Sequence, residues 1–416
     1  MLGIGLAGQG TGSTLPAFAR SAALAIDFSS GFAVRNGQLV SPNDVLTVQR
    51  ADPAYAEAAD GTLHAFSANT PRITSAGLWL DAGATRLHGE APFYGSKSGG
   101  SASSTLLPPE GAFTPRLFTG GGADWHQWQA GIGALAADEP RFFRVRYRTG
   151  TSGRCFISLI ANASPSDTFA GLAGPAGNLA TAGTSAGSLV EVEQRLLGAD
   201  TYEVSGVFLP NAAAPSATIG VGPHSTVSGE TINILGFQIT DRPSQWIMGG
   251  SDALSQDADS SLIDLAGADL SGGFVLRLDG ILPTTYQSDS YARLYQASPA
   301  SSADRVQTYL RASDLGVGME QHVGGVVQNG YPTLAQPVQA GGFSLVTGHG
   351  PDFIGGQWNA MALVSVTTPA SYVAPTQIAL GRDDLYQSAH ACLLIERLAL
   401  YAGPPSAARL TEIAAF

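Results

Sequence analysis

Apolar and polar residues alternate with a period of two over many short runs of this chain, the pattern of half-buried β-strands. Residues 141–148 (RFFRVRYR) show it most plainly. Phe143, Val145 and Tyr147 share one face there, and Arg144, Arg146 and Arg148 share the other. The same reading predicts strands at 154–160, 189–196, 202–208 and 231–240, then at 273–279, 305–311, 315–320, 343–347, 357–367 and 392–401. Within 357–367, Trp358, Ala360, Ala362, Val364 and Val366 fall on one face, which predicts one long strand with Trp358 in the core. Helical spacing is confined to residues 15–24 and to 406–416, where Ser406 is a candidate N-cap and Leu410, Ile413 and Phe416 recur at helical intervals.

Strand following strand across Gly, Pro and Ser turns predicts an all-β chain of antiparallel β-sandwiches; what residues 50–87, 88–245 and 272–416 resemble implies two antiparallel β-sandwich (jelly-roll) domains after an N-terminal attachment region. The expected divisions are an attachment segment at 1–24, a distinct block at 25–87, a first jelly roll at 88–245 and a second at 246–416. Turn signals in the 25–87 block are Asn36-Gly37 and Asp60-Gly61, the second predicting a hairpin between Tyr55 and Leu63–Phe66.

Charged residues make up only 13% of the 416, about half the usual share. Glycine is abundant, at 52 residues, and follows no collagen period. A net charge of −12 (21 basic against 33 acidic residues) argues against sequence-independent nucleic-acid binding and against docking on an anionic membrane. No run of 18 apolar residues predicts a membrane span, and residues 1–19 lack the basic and apolar regions of a signal peptide, so synthesis in a cytoplasm is expected. Cys155 and Cys392 lie far apart in apolar strand-like runs, which predicts buried free thiols.

Residues 50–87 carry a more specific pattern: Arg50, Ala51, Ala54 and Tyr55, then Asp60-Gly61, Asn69-Thr70-Pro71-Arg72, Gly77-Leu78, and Thr85 with Leu87. This run resembles a segment of tailed-phage structural proteins. It departs from that segment at Trp79, Asp81 and Arg86 and in its shorter spacing from Arg72 to Gly77, and it covers about 40 of the 416 residues. Physically, Asn69-Thr70-Pro71 reads as a turn, and Arg72 can pair with Asp81. Residues 272–280, 355–367 and 395–416 resemble a concanavalin A-like (LamG-type) jelly roll, and 88–245 is similar to jelly rolls used as carbohydrate-binding modules. The order of these parts is similar to phage and gene-transfer-agent head spikes or tail fibres. What the resemblance implies is a protein on a virion or phage-like particle, made in a bacterial cytoplasm. Its implied partners are copies of itself, other particle proteins through the N-terminal region, and host surface or capsular polysaccharide.

Two catalytic signatures are absent: no H-E-x-x-H or P-loop occurs. Glu191 and Glu193 stand at i, i+2 and form either a carboxylate pair or a solvated strand face; Asp383-Asp384 with His390 forms either an acid/base set or a polar turn. Asp252, Asp257, Asp259, Asp264 and Asp269 fall within 18 residues, either a calcium-binding loop or a solvated one. No other cofactor is expected.

Sugar binding calls for flat aromatic platforms beside hydrogen-bonding groups. Trp125, His126 and Trp128, in the Gly-flanked run 120–131, are the first candidates; they either stack a sugar or pack in a core or between subunits. Tyr286, Tyr291 and Tyr295 form a second cluster. The Arg144/Arg146/Arg148 face suits either an acidic polysaccharide or neutralisation by Glu191 and Glu193 across the sheet. The expectation is non-catalytic binding of host polysaccharide by a spike or fibre. The alternatives are a capsid or tail decoration without a ligand, and a capsule depolymerase.

Overall fold

The alternating runs become antiparallel sheets stacked as two sandwiches. They are seen in a computed structural model, which describes residues 15–88, 96–98, 100–161, 168–173, 180–182, 187–198, 200–249, 254–287, 289–299, 301, 303–328, 332–334, 336–367, 370–382 and 390–416. The chain is nearly all β; its α-helix among the described residues is Ala407–Ala414, capped by Ser406 through its hydroxyl on the Arg409 N–H.

One sandwich, here the terminal sandwich, draws on both ends of the chain. Its first sheet runs in the order Gln38–Val40, Phe32–Arg35, Leu24–Asp27, Leu393–Ala402, Phe274–Leu282, Gly341–Gly350, Phe353–Trp358, Val364–Val366. Gly77–Leu80 joins Leu393–Ala402 from the side. The facing sheet runs Val326–Gln328, Val317–Val323, Arg305–Arg311, Tyr291–Ser298, Gln377–Leu380, Ser260–Asp264, Leu46–Gln49. Ile26, Leu278 and Leu398 from the first sheet meet Leu294, Leu310 and Ile378 from the second in one core. The C-terminal helix lays Leu410 and Ile413 on the outer face of the first sheet, beside Phe18 and Tyr401.

The other sandwich, here the insert, spans Ser96–Ser98 to Ser228–Thr240 and is threaded into the first. One sheet has the order Ser103–Leu106, Arg116–Gly121, Ser228–Thr240, Arg141–Arg148, Thr201–Pro210, Gly187–Leu196. The facing sheet is Ser96–Ser98, Gln127–Leu135, Ala214–Gly222, Cys155–Ala161, Thr168–Ala173, Ala180–Ala182. Phe143, Val145 and Tyr147 fill the core between them, as their shared face requires. The two connections to the insert pair with each other: Ala84–Arg86 lies antiparallel to Leu254–Gln256.

Several expectations are revised by these pairings. Residues 25–87 do not stand as a block of their own: Leu24–Asp27 pairs with Leu393–Ala402, and Leu46–Gln49 pairs with Ser260–Asp264. Periodicity locates strands but carries no information on which distant strands meet, so an insertion reads along the chain as a series. The long strand at 357–367 is two strands, Phe353–Trp358 and Val364–Val366, broken where Asn359 takes a positive φ of 49°. Residues 15–24 hold only a 3-10 turn, Ala17–Ala19, before the first strand. Phe416 lies beyond the helix and is exposed. As expected, Trp358 is buried against Phe343, both cysteines are buried and free, and Ala54–Glu57 pairs with Leu63–Phe66 around Asp60-Gly61.

Candidate functional site

The arginine face of Arg141–Arg148 points towards the terminal sandwich. Arg146 stands directly across the ladder from Glu203, and its Nη2 lies 2.7 Å from Glu203 Oε2 and 3.2 Å from Glu57 Oε1. Glu57 is supplied by the Ala54–Glu57 strand, which reaches over from the terminal sandwich. Arg195 lies 2.8 Å from Glu57 and 2.6 Å from Glu203, and Arg144 comes within 3.6 Å of Glu203. Trp246 donates its indole N–H to Glu203 at 3.0 Å. Burial alone would raise the Glu203 carboxyl, but Arg144, Arg146 and Arg195 outweigh it and hold that group well below the ordinary carboxylate range. Burial, then the charge of Glu203, pushes Glu57 the other way.

These pairings correct the reading of the arginines on two points. Arg146 is buried in the joint between the sandwiches and Arg144 lines a crevice beside it, both turned to carboxylates of the protein. Their partners are Glu203 and Glu57 instead of Glu191 and Glu193. The strand Gly187–Leu196 bulges between Val190 and Glu193, with Glu191 at a positive φ of 48°, which destroys the i, i+2 face. Glu191 turns to the terminal sandwich and accepts from the Thr285 backbone N–H at 3.1 Å and from the hydroxyls of Thr284 and Thr285. Arg148 stays near the surface, paired with Glu110 and Asp200.

A second buried cluster sits at the base of the linkers. Arg50 Nη1 lies 2.6 Å from Asp259 Oδ1, and Arg72 bridges Asp259 and Asp81, the latter at 2.7 Å. Asn69, at a positive φ of 57°, accepts the Arg50 N–H at 3.0 Å, so the 69–71 turn holds the first arginine in place. Arg50, Asn69 and Arg72, singled out in the 50–87 run, are thus a fastening.

Asp259 is therefore neutralised by arginine and is no cation ligand. Asp264 faces Arg35 at 3.6 Å, Asp269 caps Ser271, and Asp257 lines a separate cleft. Asp252 lies outside the described residues, as do Asp383 and Asp384; His390 is buried. Among the described residues no group of three or more metal-capable side chains comes together.

Trp125, His126 and Trp128 separate into three roles. Trp128 is core, 6% exposed, with the Arg116 guanidinium 4.1 Å over its ring, so it is no open platform. His126 is also buried; its Nδ1 accepts the Gly121 N–H at 2.8 Å, and its ring meets Trp125 edge-on at 4.6 Å. Trp125 is 54% exposed, braced from behind by that histidine. Its loop and two others that pass between the sheets of the insert border a cleft of about 330 Å³. Asp124, Arg154, His224 and Glu230 line it, with Ser152 and Thr226. Gly122, at a φ of 95° that favours glycine, brings the tryptophan loop to within contact distance of Thr226 and Ser228. His224 stacks on Phe156 at 4.8 Å, and its Nδ1 is buried without a hydrogen-bond partner.

The second tyrosine cluster also divides. Tyr295 is fully buried, with its hydroxyl on Thr347 and 3.0 Å from His349 Nε2. Tyr286 is half-buried. Tyr291 is 52% exposed and sits edge-on to Tyr309, whose ring carries Arg293 at 5.0 Å and whose hydroxyl donates to Glu320 at 2.5 Å. Arg154, His224 and Glu230 at the first cleft, and Tyr309 and Glu320 here, went unread in the sequence. Each lies in a different loop or strand from the aromatic it accompanies.

No family model matches the sequence, and no curated protein sequence matches it. Among solved structures, it is similar to the NanB sialidase of Streptococcus pneumoniae over 37% of this chain, at 13% identity and a TM-score of 0.29; this chain spans 26% of that one. It is similar to domains LG4-5 of the mouse laminin alpha1 chain (11% identity, 70% of this chain, 94% of that one, TM-score 0.24). The tandem CBM22 domains of Paenibacillus barcinonensis Xyn10C match at 8% identity, over 79% of this chain and 98% of that one, with a TM-score of 0.24. Identities and scores this low assign nothing to this chain beyond what its own sheets show.

Proposed function

We propose that this chain is a surface component of a virion or phage-like particle that holds host-cell polysaccharide, without covalent chemistry, and so aids adsorption. The observation that carries the binding is Trp125: an exposed, braced indole next in the chain to Asp124 of a polar cleft, where a pyranose face could stack while its hydroxyls reach the cleft wall. The particle role rests on the likeness of residues 50–87 to phage structural proteins. Binding at such a shallow site is weak per copy, and a homo-oligomer on a particle would multiply it by about 10²–10⁴.

The test has two parts. Labelled antibody should find the chain on the outside of purified particles. Particles that carry Trp125→Ala should adsorb to host cells more slowly than the parent. Equal adsorption by particles lacking the chain altogether would leave a decoration protein without a ligand.

A further inference from the structure

The cleft beside Trp125 also speaks to the class of sugar, an inference that rests on the glycan-binding reading above. Many arginines elsewhere among the described residues end on carboxylates or carbonyls, as Arg146 does on Glu203 and Arg86 does on the Ile247 and Gly249 carbonyls. At the cleft, the Arg154 guanidinium and the Asp124 and Glu230 carboxylates make no side-chain hydrogen bond or ion pair among the described residues. The wall therefore offers one forked donor and two carboxylate acceptors that no described side chain engages.

We infer that this cleft takes a neutral hexose unit of a polysaccharide and turns away uronic acids and other carboxylated sugars. Vicinal hydroxyls of a neutral pyranose each donate and accept, so one diol can bridge Arg154 and a carboxylate while the ring lies on Trp125. A sugar carboxylate has no proton to give Asp124 or Glu230. It meets two negative charges against one positive, on a chain of net charge −12.

The whole protein should be passed over immobilised dextran, mannan, galactan, alginate and hyaluronan at physiological salt. Retention is expected on a neutral polymer, exceeding that on alginate and hyaluronan by about tenfold or more. Trp125→Ala should remove it without moving the thermal melt. D124N combined with E230Q should weaken neutral binding and narrow the gap to the acidic polymers. Stronger retention on alginate or hyaluronan overturns the sugar class and leaves glycan binding standing. Retention on none of the five overturns the glycan reading itself. Neutral retention that Trp125→Ala leaves intact overturns the assignment to this cleft.

Discussion

At the joint between the sandwiches, Arg146 and Arg195 close on Glu57 and Glu203, whose side chains are each 1% exposed. At the loop end of the insert, the side chains of Arg154, Asp124 and Glu230 stand around an open cleft with no hydrogen-bond or ion-pair partner among the described residues. Both regions concentrate charge in a chain that has little of it, and they spend it differently. Buried charge must be matched within the protein, because an ion taken from water and left alone costs several kcal/mol. Solvated charge carries no such penalty, so it can wait for an outside ligand. A charged residue here is informative chiefly through what it is denied: water in one place, a partner in the other.

The largest effect should come from breaking the joint. Glu203→Ala leaves Arg144, Arg146 and the Trp246 N–H facing an empty position and should cost about 3–5 kcal/mol in urea unfolding. A loss below about 1 kcal/mol would mean that the joint is solvated and the contrast with the cleft is false. Arg72→Lys keeps the charge but cannot bridge Asp81 and Asp259 with one planar fork, and should cost about 1–3 kcal/mol.

Acid should act first on buried histidines of the terminal sandwich and then on the joint. Burial holds His349 down at about 3 from an ordinary 6.5, so its contribution is complete above pH 6.5 and is lost as pH falls from there towards 3. The slope is about 1.4 kcal/mol per pH unit. His390 is lowered by burial and acts in the same direction. Glu203, also lowered, keeps its contribution down to the ordinary carboxylate value of 4.5 and loses it only below that. Glu57 is raised and opposes that loss. Denaturant midpoints between pH 6.5 and 5 should therefore flatten in His349→Gln. An unchanged slope there would place the acid sensitivity at His390 instead. The smallest effect belongs to Trp125→Ala: an exposed ring at a loop tip should change stability by no more than about 0.5 kcal/mol, even where it abolishes retention on a glycan.

Local chemistry was legible in the sequence where its two halves lie close together. The Arg72–Asp81 pair, the Asp60-Gly61 hairpin, the Ser406 cap and the buried face of Phe143, Val145 and Tyr147 all follow from residues within one or two turns of chain. Partners across sheets did not. Glu203 lies in a strand read correctly from its alternation, yet its register against Arg146 is set by the pairing of Arg141–Arg148 with Thr201–Pro210. Glu191 and Glu193 were misread because a single bulge residue turned the strand. Trp125 was visible as a large ring among glycines. The groups that make its surroundings a cleft come from residues 152–154 and 224–230, and only the closure of the sandwich brings them together.

The insert is joined to the terminal sandwich by two strands, Ala84–Arg86 and Leu254–Gln256, lying side by side. A domain at the end of a single linker swivels, and a pull on it is borne by one thread. Here a tug on anything held at Trp125 divides between two covalent threads in parallel, with Arg146 and Arg195 as cross-ties to Glu57 beside them. Torque is resisted as well as tension, because two threads cannot twist without crossing. The cleft is thereby held at a fixed angle to the terminal sandwich under load.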